Sequence, residues 1–470
     1  MHRSRTLAAL LMLSFPFAKA SDPQGQQLAL GEVNTNLTCI QEPDKRYALF
    51  LPSSYRPDRQ WPVILFFDPS ARAEFPLRRF AAAAERYGFI MACSYQTQNY
   101  VAWETNWSYA LAMWKDVLTR VSIDPRRMYA GGFSGGARLA SRIAIFSQKI
   151  AGVICCGAGF WTRTKKGLET PFDVVATIGD KDMNYLEMAD LEQELDEIEV
   201  ANRRLLFDGG HQWPPSETCD QALAWLHLRA FQRGLIEKDA ANLEEQWQDR
   251  LNEAKTADIT GRWQQAARNY RHLVQDFKDL QNLEEVEKRL AELENDAGLK
   301  EILAQEATAE NLERSHRTQM IYKMKTGEEL EASDINGFHR ELAWWKEELD
   351  QLQQAYGNAQ NEPQRTAILR LFDFLGKVIY EKSVYTFREK EFGGAILLNS
   401  VAGMLVPKMP YAFFNLAKAY TQTGQTEKAL DAIKEYIAAG GPVPGQLQLD
   451  PMLWPLHGNE AFKALVKPKK

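Results

Sequence analysis

Short apolar runs alternate with helical segments between about residues 45 and 235, and this alternation constrains the fold more than any other feature of the chain. The runs predicted as strands are 47–51, 62–67, 88–95, 127–131, 152–156, 172–179 and 204–207. Segments such as 75–87 and 107–121 have the spacing of amphipathic helices. Because strands joined through helices form crossover units, the pattern predicts a mostly parallel sheet with helices on both faces.

The strand pattern ends near residue 236, and the remaining chain is charged, rich in Ala, Leu and Gln, and helical in its spacing. This change in composition predicts an α/β domain over residues 21–235. It predicts an all-α domain of helical hairpins over residues 236–470.

A spacing of small and aromatic residues near the C-terminus indicates paired helices. It consists of Phe413, Leu416, Ala417, Tyr420, Gly424, Ala429, Ile433 and Tyr436. Small residues fall where two antiparallel helices would touch, and the glycine falls in the turn. The spacing resembles the tetratricopeptide repeat, which implies stacked hairpins and a concave surface for a protein partner.

Earlier copies of this spacing are less regular. A step of about 34 residues back from Ala429 reaches Ala395. However, Lys390 stands where the turn glycine is expected, and Asn399 where an apolar residue is expected. Gly261 and Ala266 form a further candidate that is out of step with the others. Generic helical hairpins without repeat ancestry therefore remain an alternative.

The segment Gly132–Gly136 places a serine between glycines, after an apolar run and before a helix that begins near Ala137. Glycines allow the chain to turn sharply, which raises the hydroxyl above the sheet edge. The N-terminus of the helix favours developing negative charge. This G-x-S-x-G pattern between a strand and a helix predicts Ser134 as a nucleophile.

A serine nucleophile needs a base, and two histidines lie in the sheet-forming region. His227 falls in the helical stretch 221–232, where a packed or surface histidine is expected. His211 follows a strand on a loop that contains Gly209 and Gly210. We therefore expect His211 to be the general base.

The orienting acid is expected between the serine and the histidine in chain order. Asp180 and Asp182 both follow the strand predicted at 172–179. Asp182 has the reach of a loop residue, whereas Asp180 is typical of a turn. Asp208 is too close to His211 in sequence to bridge the imidazole comfortably. The pattern favours Asp182.

Four segments together resemble the α/β-hydrolase superfamily, and within it serine esterases of the polyhydroxybutyrate-depolymerase and feruloyl-esterase type. They are Ile123–Arg127, Gly132–Gly136, Gly179–Asp182 and Gly209–Pro214. The resemblance covers roughly residues 45–230. It implies an α/β-hydrolase sheet and a Ser134–Asp182–His211 triad that acts through an acyl-enzyme. No cofactor or metal is expected.

The chain departs from this family after the strand predicted at 62–67, where members usually carry a His-Gly motif. Here the segment Asp68–Arg72 follows. We expect the oxyanion hole to use the amide of Gly135 with that of Ser70 or Ala71, since Pro69 has no N–H. The departure bears on the rate of the reaction and leaves the nucleophile unchanged.

Several apolar side chains lie on loops predicted to open at the same edge of the sheet. They are Phe160, Trp161, Met183, Tyr185 and Trp213. These residues are candidates for an acyl or aromatic pocket, and ordinary packing against the sheet is the alternative. Trp344 and Trp345, in the helical region, are expected in a core.

The N-terminus begins with basic residues, followed by an apolar run over 7–17 and then Ala18-Lys19-Ala20. This order is typical of a secretory signal peptide over residues 1–20, cleaved near Ala20, and an uncleaved anchor is the alternative. The apolar run is too short to span a bilayer. We therefore expect a periplasmic or secreted protein.

Charge and cysteine content exclude other classes. The chain has 56 basic and 62 acidic residues, which argues against nucleic-acid binding, since that requires a basic surface. Its five cysteines include no CxxC, which argues against a redox pair or zinc knuckle. Cys155 and Cys156 lie in a predicted strand and are expected in the core.

The sequence as a whole predicts an exported serine hydrolase, which would cleave a small-molecule or polymer ester and bind a protein partner through its helical repeats. A serine peptidase is one alternative, because the same triad cleaves amides. A binding protein built on a degenerate hydrolase scaffold is the other, and the Asp68–Arg72 segment is its motivation.

Overall fold

The computed structural model describes residues 28–161, 172–237, 239–328, 333–406, 409–443 and 445–467. The predicted signal peptide lies outside this part of the chain. Two compact units divide between Leu299 and Lys300.

The described residues of the first unit form one eight-stranded sheet in the order β1-β2-β4-β3-β5-β6-β7-β8. The strands are β1 Val33–Thr38, β2 Arg46–Phe50, β3 Trp61–Phe67, β4 Ile90–Ser94, β5 Ile123–Phe133, β6 Gly152–Cys156, β7 Asp173–Gly179 and β8 Asn202–Phe207. Strand β2 runs antiparallel to β1 and β4, and the six strands from β4 to β8 along the sheet are parallel. The prediction of a mostly parallel sheet is confirmed.

Helices connect these strands and continue after the last one. In the first unit they are α1 Glu74–Tyr87, α2 Trp103–Arg120, α3 Gly135–Ser147, α4 Tyr185–Glu197, α5 Ser216–Gln232, α6 Ala240–Ile259, α7 Trp263–Phe277 and α8 Glu284–Asn295. Every described element after β8 is helical, which confirms the predicted change from α/β to all-α structure.

The sheet separates two apolar cores. On β3, Val63 and Leu65 face one core, which α2, α3 and α4 cover. The alternate residues Ile64 and Phe66 face the other, which α1 and α5 cover. This two-sided burial explains why the central strands are continuous apolar runs, as is usual for parallel sheets.

Helices α6 to α8 belong to the first compact unit, so its boundary lies beyond the 235/236 position predicted from composition. Asp276 on α7 is the physical reason. It is buried, pairs with Arg203 of β8 at 2.5 Å and with Arg250 of α6 at 2.6 Å, and accepts a hydrogen bond from the Trp225 indole of α5. These interactions join three helices to the edge strand of the sheet.

The second unit is helical throughout its described residues. Its elements are α9 Ala297–Glu328, which begins just before the boundary, α10 Ile335–Gly357, α11 Glu362–Glu389, α12 Phe392–Leu405, α13 Pro410–Gln422, α14 Thr426–Ala438, α15 Gly445–Leu449, a 3-10 helix Pro451–Leu456 and α16 Glu460–Leu465. Trp345 is fully buried in its core, and Trp344 packs against the same core.

The hairpin of α13 and α14 explains the small residues seen in the sequence. Ala417 and Ala429 are completely buried, and Gly424 has a φ of 72° in the turn between the helices. Lys390 takes the left-handed conformation that a turn glycine would have, with a φ of 63°. Buried Asn399 donates hydrogen bonds to Ser383 Oγ at 2.8 Å and to the Ala395 carbonyl at 2.8 Å. The two departures from the repeat spacing are thus accommodated.

The five cysteines are free thiols and buried. Burial raises the pKa of Cys156 to about 12 and that of Cys155 still further, which keeps both thiols protonated and unreactive. None of the helices in the described part of the chain is both long and apolar enough to cross a bilayer.

Candidate active site

Ser134 lies between the end of β5 and the first residue of α3. Its φ of 52° and ψ of −121° are unusual for a residue with a side chain, and such backbone strain costs about 1–3 kcal/mol. The Ser134 N–H donates to the Cys156 carbonyl at 2.8 Å, which ties the turn to β6. The serine is therefore held in a strained turn by its neighbouring strand.

The glycines of this turn are required by close packing. A Cβ on Gly132 would lie 2.3 Å from the carbonyl carbon of Gly136. A Cβ on Gly136 would lie 2.0 Å from the Phe67 carbonyl oxygen of β3. Both contacts involve backbone atoms, so a larger residue at either position would distort the turn that carries Ser134.

His211 lies on the loop after β8, and its Nε2 is 3.0 Å from Ser134 Oγ. The imidazole packs on the Phe133 ring, with centroids 4.6 Å apart. The loop is fixed from the neighbouring strand end, because the Gly209 N–H donates to Asp180 Oδ1 at 2.9 Å and the Lys181 N–H donates to the Gly209 carbonyl at 2.9 Å.

Asp182 follows β7 and completes a chain of hydrogen bonds with His211 and Ser134. Its two carboxylate oxygens lie 3.0 and 2.9 Å from His211 Nδ1. The side chain is fully buried, and Oδ1 also accepts the Asn184 N–H at 2.8 Å. The structure thus brings together the three side chains that sequence singled out, and a proton can pass from hydroxyl to imidazole along this chain.

The competing residues lie elsewhere. Asp180 accepts the backbone N–H of Gly209, so it acts as a turn residue. Asp208 is exposed and pairs with Lys181. His227 of α5 is half-buried near Tyr87, and desolvation lowers its pKa to about 4.

The loop after β3 is organised by Asp68, which is 1% exposed. Its carboxylate accepts the Ser70 N–H at 2.8 Å, pairs with Arg72 at 2.9 Å and accepts the Trp213 indole N–H at 2.9 Å. Asp68 thereby links the β3 loop to the loop that carries His211. The expectation that Asp68 fixes a turn agrees with this geometry.

The expected oxyanion donors of this loop are engaged by the same residue. The Ser70 N–H points to the Asp68 carboxylate, and the Ala71 N–H donates to the Asp68 carbonyl at 3.2 Å. Either amide would have to give up a hydrogen bond within the turn to receive an oxyanion, which the sequence did not indicate. Gly135, as the first residue of α3, has an N–H without an acceptor in its own helix.

The apolar side chains proposed for the pocket have packing contacts in the described part of the chain. Phe160, Met183 and Trp213 are buried, and Trp213 packs against Phe66, Phe80 and Phe133. Tyr185 is half-buried beside the Arg204 guanidinium. Trp161 is 51% exposed, with the Arg142 guanidinium 4.0 Å from its ring centroid. These contacts are of the kind that the packing alternative expects, and the pocket stays a prediction.

A recess of about 150 Å³ lies instead beside Gly135, between the loops that follow β3 and β4. The Asn99 side chain faces it and lies directly over Gly135. Sequence reasoning missed Asn99, because it stands in a polar loop with no motif around it. No group of three or more His, Cys, Asp or Glu in the described residues is arranged to hold a metal ion.

The sheet order and the serine elbow after β5 define the α/β-hydrolase fold for the first unit. The chain is similar to S-formylglutathione hydrolase of Staphylococcus aureus, with 14% identity and a TM-score of 0.32 over 39% of this chain and 90% of that one. It is similar to Est1E of Butyrivibrio proteoclasticus, with 10% identity and a TM-score of 0.33 over 39% and 94%.

A third similar structure is esterase B of Lactobacillus rhamnosis, with 14% identity and a TM-score of 0.37 over 44% of this chain and 90% of that one. A scan against protein-family models finds no match, and a search of curated proteins also finds none.

Proposed function

We propose that this protein is a serine hydrolase that cleaves carboxylic esters through an acyl-enzyme. The observation that carries the proposal is the continuous chain from Ser134 Oγ to His211, at 3.0 Å, and from His211 to Asp182, at 2.9 Å. Three residues far apart in sequence meet there at the carboxyl ends of three parallel strands, with the serine in a strained elbow.

The reaction proceeds in two halves. His211 Nε2 takes the Ser134 hydroxyl proton while Oγ attacks the ester carbonyl carbon, and the Gly135 N–H donates to the resulting oxyanion. His211 then returns that proton to the leaving alcohol oxygen as its bond to carbon breaks. In the second half water loses a proton to His211 as its oxygen attacks the acyl carbon; His211 then returns that proton to Ser134 Oγ as the bond between Oγ and the acyl carbon breaks, which releases the acid.

Asp182 acts through the histidine. Its carboxylate accepts the Nδ1–H, which leaves the Nε2 lone pair directed at the serine. Because Asp182 is buried, it also stabilises the imidazolium that forms during attack. It is therefore the positioning residue of the triad.

An ester is proposed as substrate because the sequence motifs resemble those of serine esterases. Cleavage of peptide bonds and the absence of any activity are the two competing outcomes. The purified protein is tested on short-chain esters, aromatic esters and peptides, and a fluorophosphonate probe is used to label the nucleophile. We expect ester hydrolysis and one covalent adduct.

Two variants test which serine is labelled, one at the proposed nucleophile and one at a control serine close in the chain. Ser134→Ala should abolish the adduct, whereas Ser147→Ala, at the other end of α3, should leave it intact. Labelling that survives Ser134→Ala contradicts the proposed nucleophile. Absence of both labelling and hydrolysis in the unaltered protein supports the degenerate binding scaffold instead.

We also propose that residues 1–20 direct export and that the helical hairpins bind a protein partner. The basic start, apolar run and small-x-small ending support export. The α13–α14 hairpin, with its buried alanines, supports the repeat interpretation. A mature N-terminus at Ser21 in the exported fraction, and capture of one defined partner by the full chain, are the expected results.

A further inference from the structure

We propose that the side-chain amide of Asn99 donates the second hydrogen bond to the oxyanion formed at Ser134. This inference rests on the proposed function, since an oxyanion forms only if the serine attacks a carbonyl. It assigns a catalytic role to a loop that carries no recognisable motif.

A second donor is needed because one N–H does not stabilise a tetrahedral oxyanion well. Loss of one donor of an oxyanion hole costs about 10²–10³ in kcat. Gly135 supplies one N–H. In this fold the other usually comes from the loop after β3. Here Pro69 has no N–H, and the amides of Ser70 and Ala71 are bonded to Asp68.

The Asn99 side chain packs on Gly135, the residue that carries the available donor. A Cβ built on Gly135 would be 1.8 Å from Asn99 Oδ1 and 3.2 Å from Asn99 Nδ2. The carboxamide therefore occupies the space that a side chain at position 135 would take. A carboxamide is uncharged and carries two N–H donors, so it can donate a hydrogen bond to an oxyanion without forming an ion pair with it.

Hydrogen bonds fix the backbone of the loop that carries Asn99. The Asn99 N–H donates to the Pro69 carbonyl at 2.9 Å, which ties it to the β3 loop. Asn106 of α2 is 9% exposed, accepts the Gln98 N–H at 3.1 Å and donates to the Gln98 carbonyl at 2.9 Å. A preorganised donor is what an oxyanion hole requires, because it costs no rearrangement during the reaction.

A recess lies next to Gly135, the residue that follows Ser134 in the chain. Its volume is about 150 Å³, and its wall includes Asn99, Gly135, Gly136 and Leu139. The carbonyl oxygen of a bound ester would enter between the Gly135 amide and the Asn99 carboxamide. A small acyl group fits a space of this size, so short acyl chains are the appropriate substrates for the test.

The experiment compares Asn99→Ala and Asn99→Asp with the unaltered full-length protein, using p-nitrophenyl acetate. Asn99→Asp keeps the shape and replaces the donors with a carboxylate. We expect kcat to fall about 10²–10³-fold in Asn99→Ala and at least as far in Asn99→Asp, with KM within about twofold. An aryl trifluoromethyl ketone, which forms an oxyanion on the serine, should lose affinity in parallel with kcat.

Asn252→Ala, which removes an exposed asparagine of α6, is the matched control and should behave as the unaltered protein. Thermal unfolding shows whether each variant is folded. Unchanged kcat in folded Asn99→Ala, or a change in KM alone, overturns the role of Asn99 while the hydrolase proposal stands. An unaltered protein that neither hydrolyses esters nor reacts with fluorophosphonate overturns both.

Discussion

The two sides of the candidate active site are built from different kinds of group. On one side, the ends of β5, β7 and β8 present the three side chains of the proposed triad, namely Ser134, Asp182 and His211. On the other side, the loops after β3 and β4 present donors whose availability depends on their neighbours. Side chains at strand ends can be predicted from the sequence. Whether a backbone N–H is free to donate depends on its hydrogen-bond acceptors, and these are known only from the structure.

The largest expected effect comes from removing the proposed base, His211, on the side of the site that carries the triad. His211→Ala should lower kcat by about 10⁶-fold, because serine is a poor nucleophile without a proton acceptor. His227→Ala, the other histidine of the sheet region, should leave kcat within a few fold. Ester hydrolysis is the measurement, and equal loss in the two variants would contradict the assignment.

The next effect separates the two neighbouring carboxylates. Asp182→Asn should lower kcat by about 10⁴-fold, because the amide favours the wrong imidazole tautomer. Asp180→Asn should have little effect, since its side-chain oxygen can still accept the Gly209 N–H. Rates measured on the same ester test this, and greater loss in Asp180→Asn would exchange the two roles.

A third variant tests what supports the histidine side of the site. Asp276→Ala leaves Arg203 and Arg250 without their buried partner and should lower the free energy of unfolding by about 3–5 kcal/mol. Glu285→Ala, on the exposed face of α8, should change it by less than about 0.5 kcal/mol. Urea unfolding followed by tryptophan fluorescence measures both, and equal values would argue against α6–α8 as part of this unit.

The fourth variant tests the donor half directly. Gly135→Ala places a methyl group where the Asn99 amide lies, so kcat should fall about 10²–10³-fold. The same substitution in an Asn99→Ala background should cost much less, because the displaced donor is already gone. Additive losses in this double-mutant cycle would mean that the two residues do not act together.

The smallest expected effect concerns the hydrogen bond from Trp213 to Asp68, which joins the loop of His211 to the loop after β3. Trp213→Phe keeps the aromatic packing and removes the indole donor to buried Asp68, so the free energy of unfolding should fall by about 1–3 kcal/mol. Trp454→Phe, at an exposed tryptophan of the second unit, is the control and should have no measurable effect. Chemical denaturation checks both values.

Much of the fold could be predicted, because apolar runs in a parallel sheet are buried on both faces and stand out in sequence. Strand β1 was missed, since its residues are half-buried or exposed and largely polar. The first compact unit extends past the 235/236 position, and the division into two domains there stays a prediction. The Arg203–Asp276 pair, which ties α7 to the sheet, joins residues 73 positions apart, and composition does not show it.

The candidate active site also has a part that could be predicted from the sequence and a part that could not. Ser134 and His211 could be predicted as neighbours in space because glycines and strand ends mark them, and the contact at hydrogen-bond distance between their side chains agrees with that placement. The expected donors Ser70 and Ala71 both donate hydrogen bonds to Asp68, which the sequence does not show. Its anchor to Trp213 spans 145 positions. Asn99 gave no signal, since its importance comes from lying over Gly135 in space.

The most direct test of the account is a crystal structure of the protein after reaction with a fluorophosphonate. We predict a phosphorus atom bonded to Ser134 Oγ, with one phosphonyl oxygen within hydrogen-bond distance of both the Gly135 N–H and Asn99 Nδ2. An unmodified Ser134, or an adduct on another residue, would contradict the account.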